Sequence, residues 1–129
     1  MISYGFTKEL NASCERVVEQ ITEALKKEGF GILTEIDVQK KMKEKLDVDM
    51  KKYMILGACN PPNAYQAILA EENIGLLLPC NVIVFEKGDK TVLSVIRPMV
   101  AMQMIENAEL QKIAPAVEEK LKKAFNAVM

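Results

Sequence analysis

The sequence predicts an α+β domain: one mostly antiparallel sheet of about five strands with helices packed on one face. Three observations predict it. Segments with helical apolar spacing are interspersed with segments whose apolar residues alternate or run continuously. Lys87-Gly88-Asp89 separates two apolar runs and reads as a hairpin turn, which makes the last two strands antiparallel. At 129 residues, the chain 1–129 fits a single domain whose core needs no disulfide staples.

The elements follow in order. Residues 2–8 alternate, with Ile2, Tyr4 and Phe6 on one face, and predict a strand. Asn11 or Ser13 can cap a helix in which Cys14, Val17, Val18, Ile21, Ala24 and Leu25 recur at helical spacing; Gly29 stops it. Phe30–Ile36 reads as a second strand. Asp37 caps a short helix with Val38, Met42 and Leu46 as its buried stripe, and Glu35 reads as a solvent-face strand residue. Tyr53–Ala58 is a buried strand. Asn60 caps the next helix, Pro61 suits its first position, and the segment runs to Glu72 before Asn73 and Gly75 end it. Leu76–Phe85 is apolar again. Pro79 lacks an N–H, so it marks an edge, a bulge or a strand that begins after it. Thr91–Ile96 is the last strand. Pro98 opens a helical region with Met99, Met102 and Ile105 on one face. Pro115 interrupts that region, and Val117, Leu121, Ala124, Phe125 and Val128 line the final helix.

Composition excludes several functions. The chain has no histidine, which removes Ser-His-Asp and Cys-His catalysis and any haem, iron or zinc site with histidine ligands. No cofactor is required by the sequence. The net charge of -1 and the absence of a basic stripe argue against nucleic acid, and with no tryptophan and few aromatics there is no base-stacking platform. No apolar run is long enough to span a membrane. The opening MISYGFTKEL has no basic stretch followed by an apolar one, so the cytoplasm is the expected compartment. An odd number of cysteines, three, argues against a secreted disulfide framework. The eight methionines read as adaptable core filling.

Two Cys-Asn pairs, Cys59-Asn60 and Cys80-Asn81, stand beside prolines and apolar runs. Cys59 ends a strand and precedes a helix start, where free N–H groups would stabilise a thiolate or hold an anion. If the strands of Cys59 and Cys80 are antiparallel neighbours, the end of one lies near the start of the other; this is the expected arrangement. A parallel crossover would separate them by roughly 20 Å. Two thiolates could hold a linear soft ion such as Cu(I), a dimer could supply four sulfur ligands, or the pair could form a redox disulfide. Free cysteine is also a common small core residue, and Cys14, on an amphipathic helix, reads as one.

GFGILTEIDV, ILGACNPPNAYQAI and IGLLLPCNVIVFE, in that order, resemble the family called domain of unknown function 302, and the likeness covers nearly the whole chain. The resemblance implies a small α+β domain related in shape to the TATA-binding-protein fold: strand, helix, four-stranded antiparallel meander and C-terminal helix. It also implies a homodimer, and it directs attention to Glu35, Asp37, Cys59, Asn60, Pro61, Pro79, Cys80 and Asn81. It brings no agreed activity, and the fold likeness does not make the chain DNA-binding.

Three functional readings follow. First is a binding module with a small-ligand or soft-metal pocket around Cys59 and Cys80, in which Asn60, Asn81 and Glu35 contribute polar groups. Second is a structural or protein-interaction dimer without a ligand. Third is a thiol-dependent redox protein or enzyme with Cys59 as nucleophile and Cys80 as resolving thiol.

Overall fold

A computed structural model describes residues 2–129. Five strands form one sheet: β1 (Gly5–Leu10), β2 (Gly31–Asp37), β3 (Tyr53–Cys59), β4 (Cys80–Lys87) and β5 (Lys90–Ile96). The spatial order is β1-β5-β4-β3-β2, and every neighbouring pair is antiparallel. Strands β2 to β5 therefore make a meander, and β1 closes it by pairing with β5. The hairpin between β4 and β5 turns at Gly88, whose φ of +61° is cheap only for glycine.

Two amphipathic helices cover one face, α1 (Cys14–Lys27) and α5 (Ala108–Ala127). Val17, Ile21 and Leu25 of α1 and Leu121, Ala124 and Phe125 of α5 pack on Leu56, Val82, Val84, Leu93 and Val95 of the central strands. Ser13 caps α1 by accepting from the Arg16 N–H at 3.2 Å, and Gly29, at φ +84°, ends it. A second, smaller core of Ala67, Ile74, Met102, Leu110 and Ala114 lies beyond the ends of β3 and β4. It is built by α3 (Pro61–Ala70), the 3₁₀ turn Glu72–Leu77, the 3₁₀ turn Met102–Met104 that follows α4 (Pro98–Ala101), and the N-terminal half of α5. The helix α2 (Val38–Leu46) joins β2 to β3.

Four sequence expectations are corrected. The first strand begins at Gly5, not residue 2, because its pairing with β5 starts at Gly5↔Ile96. No residue of α2 is buried, and Leu46 is 65% exposed. Beside an edge strand the sheet offers this helix only a margin to pack on. Leu76–Leu78 do not belong to the strand: Leu76 is 88% exposed in the 3₁₀ turn, and β4 begins after Pro79. Pro115 lies within α5 and does not interrupt it. Its position is exposed, so the lost N–H bond is taken from the solvent side of the helix.

Candidate functional site

Strand β3 leaves the core after Ala58, the chain turns at Asn60, and α3 begins. Ala58 pairs with Cys80, which puts the two cysteines at adjoining positions on neighbouring strands. Both thiols are free, Cys80 buried and Cys59 half-buried. They line one cavity of about 30 Å³ at the junction of the two cores, together with Phe30, Leu78, Pro79, Met102 and Val117. Three sulfur-bearing residues therefore share its wall. The remaining lining is almost wholly apolar. Burial pushes the Cys80 thiol up to about 11, and the nearby Cys59 adds to the shift. Burial also raises the Cys59 thiol.

The expected helix-terminus activation of Cys59 is absent. Pro61 and Pro62 occupy the first two helical positions of α3 and carry no N–H. The next donor, the Asn63 N–H, bonds to the Asn60 side-chain oxygen at 3.4 Å. The first turn thus offers almost no donors to a thiolate or an anion, and desolvation wins.

Asn60 is the cap that its position before proline predicts, and it is also buried. Its amide nitrogen donates to the Glu28 carbonyl at 3.3 Å, tying the end of α1 to the start of α3. Both ends of the amide are engaged in holding elements together. Asn81 does not join the cavity: it is exposed and pairs with Gly57, on the sheet face turned away from α1. Thr34 and Pro79 crowd Gly57 on that face. A Cβ at Gly57 would lie 2.6 Å from Pro79 Cγ and closer still to Thr34 Oγ1, so only glycine fits.

Glu35 belongs to a different place. It lines a cleft of about 320 Å³ with Cys14, Glu15, Val18, Asp37, Gln39, Lys52, Tyr53 and Met54. Asp37 caps α2 as predicted, accepting from the Lys40 N–H at 3.0 Å. The structure thus brings together Cys59, Asn60 and Cys80, and separates Glu35 and Asn81 from them. Met102 was missed as a wall of the site. Its only sequence signal was a place in a methionine-rich stretch, which core packing explains equally well.

The fold and cavity define a small α+β domain with one antiparallel sheet and, between two cores, a junction cavity with two cysteines and a methionine among its lining residues. The sequence pattern of the domain of unknown function DUF302 matches residues 6–128, and the chain belongs to that family. The fold is similar to the crystal structure of an uncharacterized conserved DUF302 protein from Bacillus stearothermophilus, with a TM-score of 0.91 and 26% identity. That match covers 99% of this chain and 100% of the other. No curated protein matches. Among the described residues, no helix is long and apolar enough to cross a membrane.

Proposed function

We propose that the protein is a binding module whose junction cavity takes one soft monovalent metal ion, of the Cu(I) type, on Cys59 and Cys80. The observation that carries this reading is the cavity itself, about 30 Å³ in size, with Cys59, Cys80 and Met102 all in its lining. Pockets for organic ligands are roughly 300 Å³ or more. A space near one or two water volumes suits an ion. Its sulfur lining selects a soft ion over magnesium or calcium, which want oxygen. Met102 supplies a third, neutral sulfur. Each thiol that binds gives its proton to solvent as the sulfur–metal bond forms, so affinity rises with pH up to the thiol pKa values.

The test is competition for Cu(I) against a chromogenic chelator, on reduced protein under argon, at pH 7 and pH 8.5. The expected result is one equivalent bound, more tightly at the higher pH. A Cys59→Ser, Cys80→Ser double variant that holds Cu(I) as well as the wild type sinks the reading.

A second reading, a homodimer, is favoured by one separate observation. Ile36, Ile55 and Ile83 are successive cross-strand partners on the sheet face turned away from α1 and α5. None of them belongs to either core, and Ile36 is 43% exposed. A second copy placed about a twofold axis would cover this row with the same row.

A further inference from the structure

We propose that the cleft between α1 and the β2–β3 margin is a second binding site, for a compact organic cation: an ammonium or guanidinium group on a short apolar body. Its volume, about 320 Å³, is in the range of small-molecule sites, roughly 300–1000 Å³. Cys14, Val18 and Met54 give it an apolar floor, and charged groups stand around that floor.

The sheet is built irregularly at this place. Ile32 pairs with Ala58, but Thr34, not Leu33, pairs with Gly57, so Leu33 is an inserted residue. One inserted residue reverses which face every later side chain takes. Glu35 and Asp37 are thereby set opposite Leu56 and Met54, on the helix-covered face, while Ile36 goes to the other. A regular strand would have put Ile36 inward and both acids outward. The irregularity instead leaves Leu33 65% and Ile36 43% exposed. Apolar burial is given up, and two carboxylates are aimed at the cleft.

The charges there do not cancel. Lys52 is held by Glu15 at 2.6 Å, which satisfies the one cation of the lining. Glu35 and Asp37 are left without an ion pair among the described residues. Asp37 uses Oδ1 to hold α2, which fixes its second oxygen in place. Among the described residues no three acidic or cysteine side chains converge as a metal site does. The cleft therefore suits an organic cation rather than a metal ion, with the apolar body lying on Met54 and Val18. The cleft flanks the start of β3 and the sulfur-lined cavity its end, roughly 16 Å apart at about 3.3 Å per residue, so the two sites are independent.

The test is an NMR titration of ¹⁵N-labelled full chain with butylguanidinium and butylammonium, using butyrate as the anionic control. Saturable amide shifts confined to residues 14–18, 35–39 and 52–54 are expected with the two cations and not with butyrate. Glu35→Gln should weaken binding about tenfold or more, the loss of one charge-assisted bond. Asp37→Asn should do the same while keeping its helix cap, since asparagine caps as well. Unchanged melting temperatures of both variants show that the loss is one of binding. Non-saturable or scattered shifts, equal binding of butyrate, or cation affinity unchanged in Glu35→Gln would each overturn the proposal.

Discussion

Asn60 shows how much one side chain can fix. Its oxygen caps α3, and its nitrogen closes the end of α1 through the Glu28 carbonyl. Asn60→Ala should cost about 2 kcal/mol, a lost cap plus a lost bond to a partly buried carbonyl. Asn60→Asp keeps the acceptor and loses the donor, so it should fall between. Urea denaturation checks both, and an aspartate variant as stable as the wild type would show that the Glu28 bond contributes nothing. The cap was legible in the sequence, because asparagine before proline at a strand end is a local signal. The bond to Glu28 was not, because nothing local joins residues 32 apart. Cys80 sets a pH dependence. Folding raises its thiol from 9.0 to about 11, so the folded state favours the neutral form. The associated stability is whole below about pH 9 and is lost as pH rises toward 11, on the order of 2–3 kcal/mol. Urea midpoints should fall between pH 8.5 and 10.5 in the wild type and fall less in Cys80→Ala. Identical pH profiles for the two proteins would refute this.

Among the elements, those with strong periodicity or a marked turn were readable: α1, the β4–β5 hairpin, and the apolar stripe of the last helix. The misreadings share one cause. An apolar spacing says which residues could be buried, not whether a neighbour exists to bury them. α2 has the stripe Val38, Met42, Leu46 and no core to lay it on. Leu33 and Ile36 read as part of an ordinary strand, and the inserted residue that exposes them is a matter of pairing with β3, invisible in β2 alone. Pro115 misled in the opposite way, since α5 is anchored on two cores and tolerates one missing bond. Replacing this exposed proline should help. Pro115→Ala should stabilise the protein by about 1–3 kcal/mol, read as a higher melting temperature. A lower one would mean that packing across the two cores needs the backbone angle that proline fixes.

For the whole molecule, the single sheet and its antiparallel meander were foreseeable from the hairpin and from the family resemblance. The site was half foreseeable. Cys59 and Cys80 lie on adjoining strands as expected, while Glu35 and Asn81, drawn in by the same family pattern, face other surfaces. A pattern of shared residues does not say which of them share a cavity. The isoleucine row belongs to this scale as well. Light scattering after size exclusion should give twice the 14.4 kDa chain mass, and Ile55→Lys with Ile83→Lys should give the single mass with helical content unchanged. A wild-type protein that runs at the single mass at tens of micromolar would end the dimer reading.

The pairing of β1 with β5 has a consequence for synthesis. Partner residues Leu10 and Thr91 are far apart in sequence, and Gly5 and Ile96 farther still. The first of these five strands to leave the ribosome is thus the last to find its neighbour. At about 5–20 residues per second, β1 waits on the order of ten seconds for β5 to be made. During that interval Phe6 and Leu10 have no sheet to join, while β2, β3 and β4 pair through contacts nearer in sequence. Chaperone contacts with the nascent chain should therefore concentrate on β1, Gly5–Leu10, and end when β5 emerges.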